Sequence, residues 1–230
     1  MSNALWPTLH GLSWTLKRTP RFKNQAQPGS QVGVETRVGY GADPVYDFEL
    51  SYEVLYAGSK GTSLSQLEAF FEARRGTFDS FLIDPGAITK NPAESFINGQ
   101  QLTIDANGNA PLIRTKPGST YNEAIYELAV DGAGNYKPPA LWHAGRLLTL
   151  NTDYQIEYWP TVATGALNAN NISYSGIVIK MISSPPITND LTANFGWTYR
   201  VRFDEDSLEL EMFHYLLWKC QTVKLTGTRF

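Results

Sequence analysis

Two runs of strict alternation, far apart in the chain, constrain the fold more than any other feature. In the first, Tyr46, Phe48, Leu50, Tyr52, Val54 and Tyr56 share one face, while Asp47, Glu49, Ser51 and Glu53 share the other. In the second, Leu191, Ala193, Phe195, Trp197, Tyr199, Val201 and Phe203 lie opposite Thr192, Asn194, Thr198, Arg200, Arg202 and Asp204. Period two sustained over such lengths means half-buried antiparallel strands. A long strand of this kind leaves edges and an apolar face exposed unless neighbours cover them. The expectation is that both runs lie in one sheet, and that the stretch between them is an insertion.

The texture of that stretch supports the division. Between residues 87 and 186, short apolar runs are broken by Asn98-Gly99, Asn107-Gly108, Asp131-Gly132, Gly134-Asn135 and the asparagines from 168 to 171. Short strands with turns at this spacing indicate a small β-domain, and Asn98-Gly99 predicts a type I′ hairpin. Only one substantial helix is expected. Ser63 begins it with capping-box spacing to Gln66, Leu64, Leu67, Phe70 and Phe71 form its apolar stripe, and Gly76 suits its C-terminal cap. Residues 1–33 read as an N-terminal arm, rich in Pro and Gly yet carrying Trp6, Trp14 and Phe22; a strand is expected at 34–40. The predicted class is mainly β with a minor α contribution: an antiparallel sandwich or barrel-like domain at 34–86 plus 187–230, with one short helix. The β-rich domain at 87–186 interrupts it.

Composition narrows the function. A net charge of −3 argues against a protein built to neutralise a phosphate backbone, so no nucleic-acid partner is expected. No apolar run approaches the roughly 18 residues of a spanning helix, and the N-terminus lacks the pattern of a signal peptide. One cysteine, Cys220, excludes an internal disulfide and a thiolate metal cage. Its apolar neighbours Leu216, Leu217 and Trp218 suggest a buried thiol. His10, His143 and His214 are scattered without metal-ligand spacing, and the cluster Asp204, Glu205 and Asp206 lacks the glycine and distal glutamate of a calcium loop. No phosphate loop or nucleophile elbow is present. The expectation is therefore no catalytic residue, no cofactor and no metal. Arg74-Arg75 and Arg200/Arg202 are basic pairs without a wider patch, and are read as contacts to a neighbouring chain.

Several segments together resemble a known family. The strand DFELSYEVL, the helix LEAFFEARRG followed by FDSFLIDP, and the return YRVRFDEDSLEL resemble the distal tail proteins of long-tailed phages and gene transfer agents. Trp14 with Lys17 to Phe22, and Glu35 with Arg37, fit the same pattern loosely. The resemblance covers roughly residues 12–86 and 190–230; within the middle only Gly145 to Tyr154 matches. It implies a non-enzymatic virion protein, made in the host cytoplasm and placed in the tail. Such proteins form a ring, usually a hexamer, that joins the tail tube protein to the hub or fibre. On this reading Trp6, Trp14, Phe22, Arg74, Arg75, Arg200 and Arg202 are interface candidates.

The alternative is a carbohydrate-binding module or a glycan hydrolase of the tail. Trp142, Tyr154, Tyr158, Trp159 and Tyr174 are its candidate stacking platforms, against the plainer role of filling a thin β-core. Hydrolysis would further require two carboxylates converging at roughly 5–9 Å.

Overall fold

The computed structural model describes residues 2–28, 35–39, 43–159, 176–182 and 191–229. The fold is mainly β, antiparallel and sandwich-like, with few helices. The chain divides into two compact units. One comprises Met1–Ser2, Pro7–Phe81 and Arg200–Thr228; the other comprises Asn3–Trp6, Leu82–Tyr199 and Arg229–Phe230. The division thus falls at 81/82 and 199/200, where sequence texture had placed it at 86/87 and 186/187.

The first unit is built on a six-stranded sheet. Its order is Leu12–Arg21, Val45–Tyr56, Leu217–Gly227, Tyr199–Phe203, Ser80–Ile83, with Glu211–His214 also pairing to Leu217–Gly227. The supposed N-terminal arm therefore contributes a strand to this sheet, with Leu16 opposite Leu50 and Arg18 opposite Phe48. Pro20 is tolerated there because an edge strand has one row of N–H groups without ladder partners. Beyond it, Asn24–Pro28 and Glu35–Gly39 pair as a two-stranded ribbon whose later strand is exposed throughout.

Alternation buries Tyr46, Phe48, Leu50 and Tyr52 as expected, but then changes phase, so that Leu55 rather than Val54 is buried. Bulges in both flanking ladders fall at this point, and a one-residue slip exchanges the faces of a strand. Gly11 marks the site: with φ of 87° it lies so close to the Val54 carbonyl that a Cβ would meet the oxygen at 1.7 Å. The outer face carries a charge ladder, Lys17 to Glu49 at 2.8 Å and Lys224 to Glu205 at 2.7 Å, with Lys224 opposite Glu49 in register.

The helix runs from Ser63 to Arg74 and buries Leu64 and Leu67, while Phe70 and Phe71 are half-buried. The capping box does not form. Thr62 is the N-cap, and the Ser63 hydroxyl instead accepts the Tyr56 N–H at 2.7 Å, tying the helix start to the strand before it. At the other end Arg75, in the left-handed region with φ of 53°, is the cap, and Gly76 follows it.

The second run of alternation is interrupted. Leu191–Gly196 belongs to a four-stranded sheet of the second unit, ordered Arg146–Leu147, Ala140–His143, Leu191–Gly196, Phe96–Leu102. Only Tyr199–Phe203 enters the sheet that contains Val45–Tyr56. The break occurs because neighbouring loops take the backbone of Trp197 and Thr198: their N–H groups donate to the carbonyls of Ser95 and Glu127. The apolar period continues through the break all the same, burying Leu191, Ala193, Phe195, Trp197, Val201 and Phe203.

The second unit packs around a core that includes Leu112, Leu128, Leu141, Ile177, Ile179, Phe195 and Trp197. A three-stranded sheet, Tyr154–Trp159, Gly176–Met181, Asn109–Pro111, contributes to it. The predicted hairpin at Asn98-Gly99 is absent. Phe96–Leu102 runs through as one strand, and Gly99, with φ of 69°, sits where its pairing to Leu191–Gly196 shifts register. The Asn194 side-chain oxygen accepts the Gly99 N–H at 2.7 Å. A left-handed glycine serves a bulge as readily as a turn.

Two loops of this unit use one five-residue device, at 105–109 and 131–135. In each, the leading aspartate Oδ1 accepts the N–H groups of the third and fifth residues, at 2.8 and 2.7 Å from Asp105 and 2.9 Å for both from Asp131. Gly108 and Gly134 hold the left-handed position that the closure needs. Hydrogen bonds from the backbone and side chain of Asn135 hold the Asp131 carboxyl below its ordinary range.

Candidate functional site

The residues carrying the strongest sequence signals meet in the first unit. Phe70 and Phe71 come from the helix, Phe81 from the strand that follows it, and Phe203 from a strand more than a hundred residues later. Phe70 meets Phe81 edge-on at 4.9 Å between centroids, Phe71 meets Phe203 at 4.8 Å, and Phe81 lies 5.1 Å from Phe203. Edge-to-face and offset pairs of this kind place ring edges against the negative ring face.

A polar clamp closes the same assembly. Asp206 Oδ1 accepts the Thr77 N–H at 2.8 Å and the Thr77 hydroxyl at 2.7 Å. Gly76 sits beneath it, where a Cβ would meet that oxygen at 2.6 Å. These Thr77 bonds, with a smaller contribution from the charge of Arg202, hold the Asp206 carboxyl below its ordinary range. The other acidic neighbours are also engaged, Asp204 by the Thr226 hydroxyl at 2.6 Å and Glu205 by Lys224. Among the described residues, no group of three or more His, Cys, Asp or Glu is placed to hold a metal ion. This local bonding gives the three acids a structural account.

The clamp makes a pH prediction. A carboxyl whose folded-state pKa is depressed stabilises the fold fully above its unfolded value, about 4, and loses that contribution as the pH falls through the folded value. The melting temperature of Asp206→Asn should therefore fall below that of the unchanged protein at pH 7, and the gap should narrow below about pH 4. An unchanged gap at pH 3 would exclude the charge as its origin.

The interface candidates disperse. Trp6 is buried, with its backbone N–H donating to the Leu82 carbonyl at 2.8 Å, so it is a core residue and not an exposed anchor. Trp14 lies in the first strand, but its side chain falls outside the described residues. Phe22 is 49% exposed at the end of that strand. Arg74 pairs with Asp79 at 2.9 Å and lies over Phe70, while Arg75 reaches the ring of Phe78. Arg200, expected on a polar face, is buried and donates to the Ser2 carbonyl at 3.0 Å. Arg202 is half-buried and donates to the Phe203 carbonyl. The pair therefore does not present one basic surface.

Of the stacking candidates, Trp142 is half-buried on the strand Ala140–His143, opposite Thr192. Tyr154 is buried and donates its hydroxyl to the Pro139 carbonyl at 2.7 Å; burial pushes its phenol pKa up. It is a core residue. Tyr158 and Trp159 lie on the strand Tyr154–Trp159, but their side chains, and all of Tyr174, fall outside the described residues. Burial raises the Cys220 thiol pKa to about 11, which leaves little thiolate at neutral pH.

Two features carried no signal strong enough to single them out in the sequence. One is a buried cross-strand ion pair, Arg114 with Glu123, on the two-stranded sheet Ile113–Thr115 and Asn122–Ala124. The other is the hairpin that joins Glu211–His214 to Leu217–Gly227, where Met212, Phe213 and Tyr215 are 57%, 48% and 75% exposed. Its warning sign was an acidic run leading directly into apolar residues.

No family model matches this chain, and no curated protein matches it.

Proposed function

We propose that this chain is a non-enzymatic structural protein of a phage tail tip, assembling as a ring between the tail tube and the hub or fibre. The supporting observation is the convergence of the motifs that resemble distal tail proteins. The F-F of the helix motif, the second phenylalanine of FDSFLIDP (Phe81) and the phenylalanine of VRFDED meet in one aromatic cluster. The glycine closing the helix motif and the last aspartate of VRFDED meet in the polar clamp. Motifs that are separate in sequence thus pack together in one unit, which supports a shared structural role for them.

On this reading the partners are further copies of the chain, the tube protein and the hub, and the place of action is the virion tail. Native mass spectrometry and cryo-electron microscopy of the purified protein test it. A closed ring, expected as a hexamer, is the predicted result. A chain that stays monomeric at high concentration and binds glycans tightly would overturn the reading in favour of a sugar-binding module.

A further inference from the structure

The six-stranded sheet has flanks of opposite charge. Residues 17–23, Lys-Arg-Thr-Pro-Arg-Phe-Lys, hold four bases and no acid, and residues 204–211, Asp-Glu-Asp-Ser-Leu-Glu-Leu-Glu, hold five acids and no base. The ladder fixes where each lies. Leu225 pairs with Phe48 on one side and with Phe203 on the other, and Trp218 pairs with Leu55 on one side and with Met212 on the other. Phe203 and Glu211–His214 therefore flank Leu217–Gly227 on the side away from Val45–Tyr56, and the acidic run 204–210 connects them. The basic run lies beyond Val45–Tyr56, on the opposite flank.

Each flank also carries apolar surface. Along the row Leu55, Trp218, Met212, exposure rises from fully buried through half-buried to 57%. The face that forms the core thus runs on past its cover, and Phe213 and Tyr215 extend the exposed surface. On the basic flank, Lys17 to Gln27 are all exposed, and Phe22 is the large apolar residue among them. Met212, Phe213 and Tyr215 fall within four consecutive residues of one hairpin, a local concentration of exposed apolar surface of the kind that marks interaction sites.

We propose that the acidic hairpin flank of one chain docks on the basic flank of a second copy, with Met212, Phe213 and Tyr215 meeting Phe22 inside a rim of opposite charges. This rests on the ring reading above and names its contact. Complementary surfaces on opposite flanks of one sheet make a heterologous contact, and such contacts close into a ring when the rotation allows. The present intrachain partners of these charges do not prevent it. Arg21 is held at two points by Asp47, and Asp204 and Asp206 by Thr226 and Thr77. By contrast, Lys17 with Glu49, Lys219 with Glu211 and Lys224 with Glu205 are solvent-exposed pairs, and pairs of that kind contribute little and exchange readily.

The test measures assembly of the full chain by native mass spectrometry and light scattering, with circular dichroism to check the fold. Phe213→Ser with Tyr215→Ser should raise the concentration needed for assembly at least about tenfold, since anchors of this type dominate contacts. Glu209→Lys with Glu211→Lys should do likewise, as should Lys17→Glu with Lys23→Glu. The chain carrying all four charge reversals should regain assembly, because complementarity returns with the signs exchanged. A ring that survives the serine pair or either charge reversal overturns this inference and leaves the ring reading intact. Normal self-assembly with lost attachment to purified tails would place another tail protein on the hairpin, and also overturns it. A wild-type chain that remains monomeric overturns both.

Discussion

Replacing Phe81 by alanine should cost about 3–5 kcal/mol of stability in the first unit. The ring is fully buried and contacts both Phe70 and Phe203, so truncation removes buried area and two aromatic contacts and leaves a cavity. Neighbouring rings from a helix and two strands are fixed by their own backbones, so the site collapses poorly. Because the chain has two compact units, a single global transition is not assumed. Hydrogen exchange at the amides of Val201 and Leu225, in the sheet under the cluster, reports the relevant unit. Phe78→Ala is the control: that ring is 79% exposed and should change stability by less than about 0.5 kcal/mol. A loss below about 1 kcal/mol for Phe81→Ala would mean that the cluster is not a packed core. Phe70→Ala should cost less than Phe81→Ala, because Phe70 is only half-buried.

The sequence disclosed periods well and partners poorly. Alternation identified Val45–Tyr56 and the buried face from Leu191 to Phe203, because burial of one face imposes period two whatever the neighbour is. It did not disclose that the second run changes sheets at Trp197 and Thr198, since the change depends on backbone bonds to Ser95 and Glu127, remote in sequence. Asn98-Gly99 shows the same limit: a left-handed glycine serves a turn or a bulge, and Asn194 decides between them. The prolines and glycines of residues 1–33 suggested an arm, yet an edge strand tolerates Pro20 where a central strand would not. A consequence is that deleting residues 1–24 would remove a strand and uncover the edge of Val45–Tyr56, so the truncation does not isolate an assembly element. Trp6 and Arg200 were misplaced because composition says a residue is sticky or charged, but only packing says which way it points.

Glu123→Ala should destabilise the second unit by about 3–5 kcal/mol, the usual consequence of leaving a buried charge without its partner. Glu123 and Arg114 face each other directly across the two-stranded sheet, with side chains 4% and 11% exposed. The environment around the guanidinium is specific. Arg114 lies over the ring of Trp197 at 4.7 Å and donates to the Tyr199 hydroxyl at 3.1 Å. Lys116 approaches Glu123 at 3.4 Å from a more exposed position. Truncating Glu123 would leave Arg114 charged, since guanidinium does not deprotonate in proteins, and packed against an aromatic wall with too little water. Urea unfolding followed by hydrogen exchange at Ile177 and Ile179, in the core of the same unit, measures the loss. The double change Arg114→Met with Glu123→Leu separates charge from shape. Removing both ions spares the desolvation penalty of each, so this variant should recover most of the stability that Glu123→Ala loses. If Glu123→Ala costs less than about 1 kcal/mol, water reaches the pair and its burial has no energetic weight. If the double variant is as unstable as the single one, the pair matters for packing against Trp197, and the charges are secondary.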